Sequence, residues 1–335
     1  MTYLTPEEVK EIVHVATMHI RLFLGNSNPQ DFSGDAKDAI VAFHQNPGDF
    51  TEEELLRKGA DINDAHTYLV RIELRGISPH PLRGLFHGGA AQVSAKGIWG
   101  EHRQKAQAAV IKDLHRHHDA LTVCVAGSST LEFTRTGVNK SLPINYLRVC
   151  WEEILTAAGY KPGPVIDSRQ SRIVIAADGD GTMYEGPKTS HLPLLKDSPA
   201  FGPLLQYLKA GGLFMLISGN DLNRTCRRLM EGLPQEVYSR LLICANGGAD
   251  LVYIDQQGKP VFMRQYRQKA LEAITQKAQN PVLDIVYLGD DESVGGNDYA
   301  AFQAVGKERG VCVQSLEETK SFLEKWLYER KIGAA

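Results

Sequence analysis

From Ile173 onward the chain is punctuated by short apolar runs: Ile173-Val174-Ile175-Ala176-Ala177, Leu213-Phe214-Met215-Leu216-Ile217, Leu241-Leu242-Ile243-Cys244-Ala245 and Asp284-Ile285-Val286-Tyr287-Leu288. Runs this short, apolar apart from the leading Asp284 and not alternating, read as strands buried on both faces of a parallel sheet. Each stops at small or polar residues: Asp178-Gly179-Asp180, Ser218-Gly219-Asn220-Asp221, Asn246-Gly247-Gly248 and Gly289-Asp290-Asp291. Between them the pattern predicts helices over Pro199 to Ala210, stopped by Gly211-Gly212, over Leu222 to Met230 and over Arg267 to Gln279. A hairpin is predicted over Asp250 to Phe262, turning at Gln256-Gln257-Gly258. Strand and helix in alternation predict an α/β fold, one parallel sheet whose strand ends converge on one side.

The first half has a different rhythm. Thr5-Pro6-Glu7-Glu8 has the spacing of a capping box and opens an amphipathic helix to about Leu24; Thr51-Glu52-Glu53-Glu54 starts another. Tyr68 to Leu74 alternates as a strand does. Lys105 to His117 reads as a helix, Leu121 to Ala126 and Thr130 to Thr134 as strands around Gly127-Ser128-Ser129, and Leu142 to Ala158 as a helix. Tyr160-Lys161-Pro162-Gly163-Pro164 then breaks the helical pattern. The expected division is a mixed α/β domain over residues 1–164 and an α/β core over 165–335. Neither half shows an internal repeat or a low-complexity tract.

A length of 335 residues suits two domains, and a net charge of −3 offers no basic surplus for nucleic acid or an anionic membrane. No apolar run approaches the length of a membrane span. The polar, acidic start is not a secretory signal. Five cysteines (Cys124, Cys150, Cys226, Cys244, Cys312) are scattered and mostly lie within apolar segments, which fits reduced thiols in the cytoplasm better than disulfides or a zinc site.

The candidate chemistry sits at the strand ends. Asp178-Gly179-Asp180-Gly181-Thr182 places two carboxylates one residue apart after the first buried run. Taken alone, such a run is as readily a solvated acidic turn. A parallel sheet, however, brings Asp178, Asp180, Ser218, Asp290 and Asp291 to one edge. Carboxylates crowded together repel unless a cation neutralises them, and hard oxygen ligands suit Mg²⁺. A carboxylate nucleophile, a second carboxylate for proton transfer, a hydroxyl and a divalent cation are the parts a phosphoryl-transfer site needs.

These motifs resemble those of the haloacid-dehalogenase (HAD) superfamily of phosphatases. Asp178-Gly179-Asp180-Gly181-Thr182 matches the first motif, Ser218 after an apolar strand the second, and Gly289-Asp290-Asp291 with Gly296-Asn297-Asp298 the fourth. The run from Gly289 to Tyr299 is similar to the corresponding loop of eukaryotic phosphomannomutases and IMP-specific 5′-nucleotidases. The resemblance covers about Arg172 to Trp326 and implies a Rossmann-like parallel-sheet core. It implies that Asp178 attacks phosphorus to form an aspartyl-phosphate. Asp180 would protonate the leaving oxygen and then activate water, while Ser218 and Gly219 hold the phosphoryl group. Mg²⁺ would be bound by Asp178, Asp290 and the Asp180 backbone carbonyl, with Asp291 or Asp298 as an outer ligand or as a residue that positions the loop.

Two lysines compete for the third motif, the cation that offsets phosphoryl charge. Lys269 opens the helix before the fourth motif, where the family usually has it. Lys140, in Leu131-Glu132-Phe133-Thr134-Arg135-Thr136-Gly137-Val138-Asn139-Lys140, resembles the strand, turn and lysine that follow the cap of cap-bearing members, but it precedes the first motif. The segments between motifs are too short for a cap, so either the site is open to a large substrate or the first half acts as the lid, and the lid is the favoured expectation. His115-Arg116-His117-His118 lacks companion metal ligands, and the basic stretch Arg83, His87, Lys96, His102, Arg103, Lys105 reads as polar surface. The expected function is Mg²⁺-dependent hydrolysis of a small phosphorylated metabolite, a nucleotide monophosphate or sugar phosphate, with neither nucleic acid nor membrane as partner. The alternatives are a phosphotransferase or mutase on the same fold, and a non-catalytic regulatory binding protein; the oligomeric state is left open.

Overall fold

In the computed structural model the chain forms two compact units, residues 2–136 and 137–335. The residues described are 136–160, 173–186, 192–263, 284–294 and 296–332, strand backbones at 60–62, 69–73, 121–126 and 130–135, and scattered positions within 11–49, within 108–114 and at 266 and 269. The helix expected from Thr51, the helix expected beyond Lys269, the Pro162-Gly163-Pro164 break, the basic stretch from Arg83 to Lys105 and the His115-His118 run lie outside the described residues. No helix among the described residues is long and apolar enough to cross a membrane.

The unit of residues 2–136 contains an antiparallel sheet of β1 (Ala60–Ile62), β2 (Leu69–Glu73), β3 (Leu121–Ala126) and β4 (Thr130–Arg135), in the order β1-β2-β4-β3. The expected β3–β4 pairing is present, with Val123 opposite Phe133. Described positions between 11 and 26 and within 108–114 are helical, where the capping box and the periodicity placed helices.

The second unit begins before its sheet, with α1 (Ser141–Ala158). This helix buries Tyr146, Leu147, Trp151 and Ile154 and ends on Gly159 in the left-handed conformation, a common helix stop. It is built into this unit, so the division falls at Gly137 rather than beyond Tyr160. There follow β5 (Ile173–Asp178), α2 (Phe201–Lys209), β6 (Leu213–Ile217), α3 (Leu222–Met230), β7 (Leu241–Ala245), β8 (Asp250–Ile254), β9 (Pro260–Phe262), β10 (Asp284–Gly289), α4 (Tyr299–Val305), β11 (Gly310–Cys312) and α5 (Leu316–Glu329). The sheet order is β11-β10-β5-β6-β7-β8-β9. The first five strands of that order are parallel, and β8 and β9 extend the edge as the antiparallel hairpin expected over 250–262.

β5, β6, β7 and β10 are fully buried apart from the first residues of β5 and β10, which is why each reads as a continuous apolar run. Leu204, Leu208, Phe214, Leu216, Ile243, Val286, Leu288, Leu323 and Trp326 belong to one buried cluster. Each such side chain removed from water contributes about 1.5–3 kcal/mol. Register aligns the chemistry: Asp178 lies opposite Ile217, and Ala177 opposite Leu288. The residues that leave β5, β6 and β10 therefore emerge side by side.

Candidate active site

Asp178 is the last residue of the central strand β5 and is only 4% exposed. After it the chain makes a tight loop: the Gly179 carbonyl accepts hydrogen bonds from the amides of Met183 at 2.9 Å and Tyr184 at 3.1 Å, and the Gly181 amide donates to the Tyr184 carbonyl at 2.9 Å. Gly181 has φ of +83°, and a Cβ there would stand 2.2 Å from Asp290 Oδ2. Only glycine lets the first loop pass this close to the Asp290 carboxylate.

Lys140 meets Asp178 from the turn just ahead of α1. Its Nζ lies 2.5 Å from Asp178 Oδ1 and 2.6 Å from Asp298 Oδ1, and the residue is 2% exposed. The turn is held in place from two sides. The Asn139 side-chain oxygen accepts from the Ser141 amide at 2.9 Å, and the Asn139 carbonyl packs against Gly248, where φ is +108° and a Cβ would fall 2.2 Å from that oxygen. The loop after β7 thus presses the lysine turn towards the end of β5. It also binds the loop after β6, since the Gly247 amide donates to the Ser218 carbonyl at 3.0 Å and the Asn246 amide to the Asn220 carbonyl at 2.9 Å.

Asp298 organises the remaining contacts. Its Oδ1 accepts from Lys140 and from the Tyr287 hydroxyl at 2.6 Å; its Oδ2 accepts from the backbone amides of Asp290 at 3.1 Å and Asp291 at 3.3 Å. Carboxylate oxygens of Asp178, Asp290 and Asp298 lie within 4.8 Å of one another. Burial would lower the Lys140 pKa, but the charges of Asp178 and Asp298 more than reverse this and hold it raised, so the ammonium stays charged. Burial raises Asp178 well above the usual carboxylate range; Lys140 opposes the rise, and Asp298 and Asp290 add to it. Loss of water around its carboxyl, and then the charge of Asp298, push Asp290 up to about 6.

If all three were ionised, the carboxylates against one ammonium would leave a charge of −2, which one divalent cation would cancel. All donors in the cluster are hard oxygens, the set Mg²⁺ prefers. Both oxygens of Asp298 are already engaged with donors of the protein, so Asp178 and Asp290 are the residues that would hold the ion. The donor set therefore fits the expected metal.

Several expected residues lie elsewhere. The Asp180 side chain, expected as the acid and base, lies beside Asn220 and Arg228: Asn220 Nδ2 donates to Asp180 Oδ2 at 2.8 Å, and Arg228 Nη1 lies 2.6 Å from Asp180 Oδ1. The Asp291 carboxylate is taken up within its own loop, where Oδ1 accepts from the Ser293 amide at 3.1 Å and from the Ser293 hydroxyl. Asp298 replaces Asp291 in the cluster because its carboxylate can reach back to the amides at the end of β10. Lys269 pairs with Glu153 at 3.4 Å on an exposed face of α1, and the lysine that touches Asp178 is Lys140.

Ser218, 1% exposed, ends β6, with Gly219 next in the same loop; its Oγ accepts from the Asn220 amide and Nδ2, both at 3.1 Å. Its own hydroxyl proton therefore remains available for a ligand oxygen. Ser218→Ala is expected to lower kcat/KM about 10- to 100-fold, since a hydrogen bond to a charged group contributes roughly 1.5–3 kcal/mol; steady-state kinetics check it, and an unchanged value contradicts it.

Three residues of the site escaped the sequence reading. Asn220 and Tyr287 look like ordinary strand-end and strand residues. Arg228 did carry a signal: Thr225, Arg228 and Leu229 fall at the i, i+3, i+4 spacing of a buried stripe, and a charge on that stripe needs a partner. Arg228 is 0% exposed and donates from Nε to the Pro193 carbonyl and from Nη2 to the Glu185 carbonyl, both at 2.9 Å; its guanidinium stacks 3.7 Å from the centre of the Tyr184 ring.

No protein-family model and no curated protein matches the chain. Among solved structures it is similar to an IMP-bound mutant of the Plasmodium falciparum IMP-nucleotidase, with 9% identity over 56% of this chain and 78% of that one and a TM-score of 0.36. An N-terminally truncated, IMP-bound form of the same nucleotidase gives 11% identity over 56% and 80%, with a TM-score of 0.35. A haloacid dehalogenase-like hydrolase protein of Bacillus subtilis gives 13% identity over 54% and 97%, with a TM-score of 0.30. All three scores lie below 0.5, and the functional reading rests on the side chains at the sheet edge.

Proposed function

We propose that this protein is a Mg²⁺-dependent phosphomonoester hydrolase that works through an aspartyl-phosphate on Asp178, with a small phosphorylated metabolite, a nucleotide monophosphate or sugar phosphate, as substrate. The observation that carries the reading is the burial of Asp178 against Lys140, beside Asp290, in a cluster that sets three carboxyl groups against one ammonium. A structural ion pair has no use for that surplus, whereas a site for a divalent cation and a phosphoryl group does.

Mg²⁺ held by Asp178 and Asp290 would neutralise charge on the phosphoryl oxygens and help place phosphorus opposite the nucleophile. Asp178, fixed by Lys140, attacks phosphorus, and the ester oxygen leaves with a proton from Asp180. Lys140 and the Ser218 hydroxyl face the negative oxygens of the transferring group, where fixed donors stabilise the transition state most. Asp180 then takes a proton from water as that water attacks phosphorus, which returns Asp178 and releases phosphate. The resemblance of the Gly289–Tyr299 loop supports a nucleotide or sugar phosphate as substrate. A phosphate-release screen across nucleoside monophosphates and sugar phosphates, with Mg²⁺ and with chelator, tests the proposal. Release that needs Mg²⁺ from at least one substrate is expected; no release from any of them, or release indifferent to chelator, overturns it.

The raised carboxyl of Asp290 gives a second expectation. Its folded pKa, about 6, lies above the ordinary 3.8, so the metal-free fold binds an extra proton between those values. The stability from this group is present below about pH 4 and is lost as pH rises through about 6; Asp178 is shifted in the same direction. A bound cation reverses that loss, so millimolar Mg²⁺ should raise Tm more at pH 7 than at pH 5. Melts at both values check this, and an equal or smaller rise at pH 7 contradicts it.

A further inference from the structure

Asp180 stands apart from the carboxylate cluster, and what holds it is specific. Arg228 makes an ion pair with Oδ1 at 2.6 Å, although this oxygen and Nη1 are buried and share no hydrogen bond. On the other oxygen Asn220 Nδ2 donates at 2.8 Å. The same amide group lies 3.1 Å from Ser218 Oγ, so one side chain ties Asp180 to the hydroxyl expected to face the phosphoryl group. Arg228 cannot drift, since backbone carbonyls of Pro193 and Glu185 and the Tyr184 ring fix its guanidinium. The clamp is therefore rigid, and it is referenced to the phosphoryl end of the site.

This arrangement serves the two half-reactions unequally. Both contacts are from donors or positive charge, and an acid delivering its proton to a leaving group gains nothing from them. A base does: it needs a carboxylate with its charge supported and a lone pair open. Asn220 takes one lone pair of Oδ2, and the second is free to accept a proton. Resting on the phosphatase reading above, we propose that Arg228 and Asn220 are positioning residues for hydrolysis of the intermediate, holding the Asp180 carboxylate as the fixed acceptor for the proton of the attacking water. In that step the water oxygen bonds to phosphorus, its proton passes to Asp180, the bond from phosphorus to the Asp178 oxygen breaks, and its electron pair restores the Asp178 carboxylate. Phosphate leaves and no other reactant is needed.

The test uses p-nitrophenyl phosphate with the full chain and Mg²⁺, because its acidic leaving group needs little help from an acid and so isolates the second step. In Asn220→Ala and Arg228→Lys, kcat should fall about 10-fold, a fraction of the 10²–10⁴ that a general base contributes. KM should fall in parallel, so kcat/KM, which reports formation of the intermediate, stays within about twofold. Acid-quenched samples at steady state should contain more phosphorylated enzyme than wild type. Asn220 is half-buried and its removal strips no buried charge, so Asn220→Ala keeps the inference testable if Arg228→Lys does not fold. Equal falls in kcat and kcat/KM, or no rise in trapped phosphoenzyme, overturn the inference and leave the phosphatase reading standing. Wild type that forms no phosphoenzyme and releases no phosphate overturns both.

Discussion

Asp178→Asn is expected to abolish turnover while leaving the fold in place. The amide nearly matches the carboxyl in shape but cannot attack phosphorus, and loss of a covalent nucleophile costs on the order of 10⁴-fold or more in kcat. The fold should tolerate it because the cluster sets three carboxyl groups against one ammonium: Asp178 is raised by burial and by Asp298 and Asp290, and Lys140 keeps Asp298 as its partner at 2.6 Å. The change in stability is expected to stay within about 1 kcal/mol, typical of substitutions that leave no unpaired buried charge. The same substitution removes a carboxylate from the metal cluster, so the rise in Tm on adding Mg²⁺ should shrink. Phosphate release and thermal melts check all three. Retained turnover would show that the nucleophile lies elsewhere, and a collapsed fold would show that Asp178 is chiefly structural.

Lys140→Met should have the largest effect on stability. The lysine side chain is 3% exposed and is the cation in contact with both Asp178 and Asp298. Removing one partner of a buried ion pair leaves uncompensated charge and costs about 3–5 kcal/mol. Urea unfolding should show that loss, and Mg²⁺ should recover part of it by supplying positive charge to the same carboxylates. Lys269→Met is the control, since its pair with Glu153 is exposed on both sides, and exposed pairs contribute about 0–1 kcal/mol. Activity and stability near wild type for Lys269→Met, with both lost for Lys140→Met, assign the phosphate-facing cation to Lys140. The opposite pattern would return it to Lys269.

The sheet was legible where burial is complete. β6, β7 and α3 begin and end where the apolar runs and their stop signals place them, and β5 and β10 gain one residue each. β11 escaped notice because its three half-buried residues at the sheet edge are too few to show a pattern. α5 was also unread, although Ser315 caps it by accepting from the Glu318 amide at 3.3 Å, the spacing of a capping box.

The site was legible in its carboxylates and only in part in their partners, since Lys140 stood as one of two candidate lysines while Asn220, Arg228 and Tyr287 went unread. Asp178 and Asp290 follow from strand ends, since chain order and parallel pairing place them together. Lys140 comes from a turn 38 residues before Asp178 and owes its position to Asn139 packing on Gly248, a contact that no local pattern encodes. Choosing between Asp291 and Asp298 likewise depended on which carboxylate reaches the amides at the end of β10.

In the proposed mechanism Asp178 itself carries the phosphoryl group. Acid-quenching the enzyme during turnover of a substrate from the screen, reducing the acyl-phosphate with borohydride and mapping the product by mass spectrometry tests it directly. Homoserine is expected at position 178 and nowhere else. Modification of another residue, or turnover at full rate with no trapped intermediate at Asp178, would contradict it.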